Sequence, residues 1–170
     1  MATIKFLAQQ SQTENWLTYK STVYNFSLKY PPNWYAQREY DSNTNFSILI
    51  ANKKLAPQEM AGKNYQSLSI TILKPGYKLQ NNDFISVNTD LTEIIKKRNG
   101  FWNAEKEFNG LNKKTLIIGN KEAVRYLGTN NQTITPWYLK IEENIFEFSK
   151  VNFTNGHSTE DQILSTVKFD

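Results

Sequence analysis

His157 is the only histidine in the chain, so a histidine-based triad could form in one way and a multi-histidine metal site in none. It stands beside Ser158 just before an apolar-periodic segment, where the flank of a helix N-terminus is sufficient explanation. Acid chemistry has two adjacent pairs on offer, Glu142–Glu143 and Glu160–Asp161. Glycoside hydrolysis needs two carboxyls facing each other across a cleft. Strand neighbours point to opposite faces, and Glu142–Glu143 also sits beside a turn. Glu160 and Asp161 fall in a helix's first turn, where negative charge complements the helix dipole. Among the 7 glycines there is no phosphate-cradling loop, Walker sequence or dinucleotide fingerprint. With no cysteine, thiolate ligands, disulfides and cysteine nucleophiles are excluded. No catalytic, cofactor-binding or metal-binding residue is therefore assigned.

Two surface readings are left. Lys96, Lys97 and Arg98 with Phe101 and Trp102 have the residue types of a nucleic-acid surface. Three cations at a helix end are a thin electrostatic footprint, however, and dipole complementarity accounts for them, so no nucleic-acid partner is expected. Trp102, Trp137, Tyr138 and Tyr40 are the aromatics from which a glycan or peptide platform could be built. Trp137 alternates in phase with Leu139 and Ile141 and reads as core. Tyr138 shares the other face with Lys140, so it is expected to be exposed. Trp102, on a loop after a helix, has no packing explanation. Trp102 and Tyr138 are the two candidate ligand-facing residues.

The elements that must position these residues follow from periodicity. Phe26, Leu28 and Tyr30 alternate with Ser27 and Lys29, giving a strand that Pro31 and Pro32 terminate before Trp34 folds back as a core plug. Phe46, Ile48 and Ile50, then Leu68, Ile70 and Ile72, make two further strands. A helix is expected from about Thr89 to Asn99, capped by Asp90, with Leu91, Ile94 and Ile95 inward and a basic last turn before Gly100. Four closely spaced strand-like runs follow: 114–118, 122–127, 135–141 and 145–153. Their short connections allow only antiparallel hairpins. Val151 and Phe153 fall out of phase with Phe146 and Phe148, which suggests a bulge near Ser149–Lys150. A helix from about Ser158 places Ile163, Leu164 and Val167 inward.

Length and composition set the frame. The 170 residues suit one domain, with residues 1–15 read as a polar leader and 16–170 as the folded unit. Aromatics make up 14% of the chain, so Phe, Tyr and Trp, each burying about 150–250 Å², must supply much of the core. The net charge of +4 is spread along the chain without a dense basic block, which gives only a weak preference for anionic neighbours. No apolar run is long enough to span a bilayer.

Certain of these residues also resemble a known family. Trp16 and Tyr19, then Asn25-Phe26-Ser27-Leu28-Lys29-Tyr30-Pro31 and Asn33-Trp34, are similar to the entry motif of PsbP-like proteins. The run from Asp161 to Phe169, with Ile163, Leu164 and Phe169, resembles that family's closing helix, and Gly119-Asn120-Lys121-Glu122-Ala123 its late hairpin. The resemblance implies an α+β fold, an α/β/α sandwich with a central antiparallel sheet flanked by helices. It implies an extracytoplasmic protein of the cell envelope, secreted or lumenal, with a lipid-anchored precursor as one form; the short apolar run Ile4 to Ala8 leaves a cytoplasmic location as the alternative. It supplies no catalytic residues, because its motif residues are turn, strand and core positions. The expected function is thus a non-enzymatic, exported binding or assembly-support domain whose partner is another protein or an envelope component. The alternatives are a glycan- or peptide-binding module using loop aromatics, a photosystem II accessory subunit, and a hydrolase.

Overall fold

A computed structural model describes residues 13–56, 65–79, 82–100, 108–128, 135–151 and 159–170, with the side chains of 38–40, 151 and 160 outside that description. Among the described residues, ten strands and two helices run in the order β1 (Leu17–Ser21), β2 (Phe26–Tyr30), β3 (Tyr35–Asp41), β4 (Asn45–Ala51), β5 (Ser67–Leu73), α1 (Leu91–Arg98), β6 (Asn112–Ile118), β7 (Lys121–Leu127), β8 (Trp137–Ile141), β9 (Asn144–Val151), α2 (Thr159–Ser165) and β10 (Lys168–Phe169). Seven strands form one antiparallel sheet in the order β3-β4-β5-β9-β8-β7-β6, and three form a second in the order β1-β2-β10. The large sheet is two meanders joined where β5 pairs with β9. The chain leaves β5 at the centre and re-enters at the far edge in β6. The intervening segment must cross β9, β8 and β7, and α1 lies on the back face along that path.

The front face of the large sheet carries Phe46, Ile48 and Ile50 of β4, Leu68, Ile70 and Ile72 of β5, and Phe146 and Phe148 of β9. Over them pack Phe26 and Leu28 of β2 and Ile163, Leu164 and Val167 from the α2 region. The back face carries Leu73, Val124, Tyr126, Tyr138 and Ile145, against which α1 sets Ile94 and Ile95. Helix α1 begins as its sequence dictates: Asp90 Oδ1 accepts from the amides of Thr92 at 2.8 Å and Glu93 at 3.2 Å, satisfying donors that have no partner within the helix.

This architecture corrects the expected α/β/α sandwich. The fold is mostly β, two antiparallel sheets with two short helices among the described residues, and the front layer is a sheet with α2 beside it. The segment read as a closing helix is helical only through Ser165, because Lys168 and Phe169 turn extended and pair with Ser27 and Phe26. The bulge expected in β9 is also absent. β9 keeps an unbroken register with β5 from Ile145 to Val151, since a central strand covered on both faces holds apolar side chains on both. The register shift falls instead in β3, between Arg38 and Tyr40.

The residues behind the family resemblance are structural. Phe26, Trp34, Ile163 and Leu164 belong to the front core, and Trp16, Tyr19, Tyr30 and Phe169 pack against it. Pro31 is buried, and its carbonyl accepts from the Trp34 amide at 2.9 Å, closing the corner.

Candidate functional site

Two features stand out from ordinary packing: a buried polar network beneath α1 and an open edge at β6. The network is built on β9, where Glu147 shares the back face with Ile145 and is only 7% exposed. Its Oε2 accepts from Arg98 Nε at 2.9 Å and from the Tyr138 hydroxyl at 2.9 Å, and its Oε1 accepts from Ser149 Oγ at 3.3 Å. Arg98 also donates from a terminal guanidinium nitrogen to the Tyr77 hydroxyl at 3.0 Å. Asn99 Nδ2 donates to the Ile95 carbonyl at 2.7 Å and to the Tyr138 hydroxyl at 3.2 Å. At the other end of α1, Lys140 Nζ donates to the carbonyls of Val87 and Thr89. Side chains of β8 and β9 thus hold both ends of the helix to the sheet.

The electrostatics fit a clamp. Burial works to lower the Arg98 pKa, but the charge and hydrogen bond of Glu147 hold it above its ordinary value. Burial, reinforced by the charge of Glu147, pushes the Tyr138 hydroxyl far above the usual tyrosine range, so it stays protonated and donates. Every oxygen of the carboxylate is engaged by donors from its own fold.

The basic triplet at the end of α1 divides its roles. Lys97 bonds Asp83 at 2.5 Å and Glu93 at 2.7 Å, and the Asp83 hydrogen bond, followed by that of Glu93, raises its pKa. Lys96 lies over the ring of Phe108, and Arg98 serves the network.

Tyr138 is a correction to the sequence reading. Its assignment to the face opposite Trp137 holds, yet that face is covered by α1, and Tyr138 is fully buried in place of exposed. Trp102 and His157 lie outside the described residues, as do Phe101 and the side chains of Tyr40 and Glu160. Trp137 is buried in the front core, with the Arg125 guanidinium 4.4 Å from its ring centroid. Glu142 and Glu143 are exposed on the β8–β9 turn, while Asp161 is bonded to Lys150. Among the described residues, no three histidine or acidic side chains gather as a metal site would require.

The second feature was not legible as a site in the sequence. Strand β6 is the last strand of the large sheet, and Asn112 to Ile117 are all exposed. The β6–β7 hairpin closes through Gly119 and Asn120, with φ of 54° and 66°, the pair of positive values that a two-residue type I′ turn demands. Gly119 is required twice over, because a Cβ there would stand 2.8 Å from the Phe169 ring and 2.9 Å from the Val167 carbonyl.

The tight turn fixes which backbone groups face outward. Ile118 and Lys121 flank the turn as a hydrogen-bonded pair, and pairs alternate along the ladder, so Leu116, Lys114 and Asn112 bond inward to β7. The N–H and C=O groups of Lys113, Thr115 and Ile117 therefore point away from the sheet. Leu116 is 40% exposed and Ile117 65%. The opposite edge, β3, is interrupted by its bulge, a feature that blunts edges against pairing; β6 keeps an unbroken register over its seven residues.

Among the described residues, the fold and these two features define a mostly-β, two-sheet domain with a clamped helix and an exposed sheet edge at β6. Comparison with known proteins finds no matching family model, no matching curated protein and no matching solved structure. Among the described residues, no helix is long and apolar enough to cross a membrane.

Proposed function

We propose that the chain is a non-enzymatic, exported protein-binding or assembly-support domain that engages its partner by strand addition at β6. The observation that carries the reading is the open, unbulged edge with outward amides at Lys113, Thr115 and Ile117 and exposed Leu116 and Ile117. Strand addition draws affinity from main-chain hydrogen bonds and specificity from alternate side chains, and this edge offers both. The buried carboxylate favours a non-catalytic role, since Glu147 is occupied by Arg98, Tyr138 and Ser149 and anchors a helix. Export rests on the resemblance of the Trp16–Trp34 stretch to PsbP-like proteins.

Selection of a displayed random-peptide library on the immobilised domain tests the binding mode. Enriched peptides should bind in extended form, protect the amides of Thr115 and Ile117 from hydrogen exchange, and lose binding to Thr115→Pro. That substitution removes an outward donor and leaves the inward ladder in place. Binding indifferent to Thr115→Pro, or failure of a monomeric domain to enrich any peptide, would overturn the reading. Fractionation of the native cells with an antibody tests export, which a purely cytoplasmic signal would refute.

A further inference from the structure

We propose that β6 pairs with β6 of a second copy, antiparallel across a two-fold axis through Thr115, making one continuous sheet from two domains. The inference rests on the edge-docking reading and names its occupant. The outward-facing residues Lys113, Thr115 and Ile117 are symmetric about Thr115. A two-fold there sets Thr115 opposite Thr115 of the other copy and Lys113 opposite Ile117, each a hydrogen-bonded pair of the antiparallel kind. Such an interface is isologous and closes on itself, as the commonest oligomers do.

The side chains select this pairing over a parallel one. The first half of β6 is cationic, with Lys113 and Lys114, and the second half is apolar, with Leu116, Ile117 and Ile118. Antiparallel pairing lays each lysine stem against an apolar residue of the other copy, Lys113 against Ile117 and Lys114 against Leu116. Parallel pairing would bring like charges together, which is unfavourable. Lysine stems cover apolar surface well while their charged heads stay in water.

The charges on β6 and β7 favour a second copy over an acidic peptide. On β7, Glu122 lies directly opposite Ile117, on the same face, and is exposed. In the dimer the row across the sheet reads Glu122, Ile117, then Lys113 of the other copy. The two charged residues are two strand spacings apart, about 10 Å between backbones, a gap that a glutamate and a lysine side chain bridge over Ile117. The two-fold repeats this pair, so the acid that complements Lys113 is already carried on the neighbouring strand of the same chain.

Sedimentation velocity over a concentration series tests the proposal with the full chain. The wild type should dimerise reversibly, more weakly as salt is raised, and Thr115→Pro should be monomeric with an unchanged far-UV spectrum. Glu122→Lys and Lys113→Glu should each weaken the dimer about tenfold, and the two together in one chain should restore it. If Thr115→Pro does not fold, the charge-swap series decides alone. A wild type that stays monomeric at millimolar concentration overturns the proposal, as does a dimer indifferent to both Thr115→Pro and the charge reversals. If the chain is monomeric yet selected peptides still dock on β6, the second copy is refuted and the edge-docking reading stands; if neither occurs, both fall.

Discussion

Replacing Arg98 with methionine strips Glu147 of its guanidinium while keeping an aliphatic stem beneath α1. The two partners are not equally stranded by such a loss, because the carboxylate side chain is 9% exposed and that of Arg98 28%. Removing one member of a buried pair costs about 3–5 kcal/mol, most of it the penalty of a desolvated charge left behind. Here Tyr138 and Ser149 still donate to Glu147, so Arg98→Met belongs near the low end, about 3 kcal/mol. The reverse change, Glu147→Gln, leaves an amide oxygen to accept from Arg98, whose guanidinium also keeps Tyr77 as acceptor, and it should cost about 1–2 kcal/mol. In the double variant neither charge is stranded, so its loss should fall short of the sum by about 1–2 kcal/mol. Urea unfolding of the four proteins at pH 7, followed by tryptophan fluorescence with slopes checked for constancy, measures all three quantities. A loss below about 1 kcal/mol for Arg98→Met, or strict additivity in the double variant, would refute the view that Glu147 is a buried charge held by Arg98.

Three further outcomes are expected. Trp34→Ala, at a corner where the indole is buried in the front core, should lower the unfolding free energy by about 3–5 kcal/mol in denaturant melts. Tyr138 titrates near 10.0 when unfolded but well above that when folded. Its contribution to stability is therefore intact below that pH and falls as pH rises past it, by up to about 1.4 kcal/mol per pH unit. Melts between pH 9 and pH 11, a range of about two units around the unfolded value, should show this slope in the wild type and a shallower one in Tyr138→Phe. Gly119→Ala combines a strained φ with a clash against Phe169 and the Val167 carbonyl, so it should cost more than the roughly 1 kcal/mol of a left-handed alanine alone, read as a drop in urea midpoint.

Periodicity revealed the strands whose two faces differ. β2 announced itself through Phe26, Leu28 and Tyr30, and β5 through Leu68, Ile70 and Ile72, because their polar neighbours mark the alternation. β3 was invisible, since its sequence YAQREYD has no apolar period; it forms because β4 beside it has an unpaired edge to fill. Helix α1 could be read to within two residues because Asp90, Glu93 and the basic last turn act locally. The end of α2 could not, as the switch to β10 is driven by a partner in β2 far away in sequence. Tyr138 was placed on the correct face, but alternation does not say whether a face meets water or a helix. Glu147, between Phe146 and Phe148 and in phase with Ile145, carried a readable hint that an acid was going inside; its cation Arg98 was hidden by an adequate local explanation. The β6 edge depends on strand order, which no local pattern encodes.

The front sheet has a consequence for the order in which the chain folds. β2 is flanked by its immediate neighbour β1 and by β10, the last strand, and the closure is latched by the Asp170 amide on the Asn25 carbonyl at 2.9 Å and by the Lys20–Asp170 ion pair. During synthesis the β1–β2 hairpin emerges well before β10, with Phe26 uncovered, and its second neighbour arrives only once Lys168 and Phe169 have been made. Closing so long a loop is entropically slow. The large sheet can therefore assemble its β3-β4-β5 meander first, while the front layer waits for β10. A ribosome-stalled chain ending before Lys168 should hold the aromatic side of β2 open to chaperones.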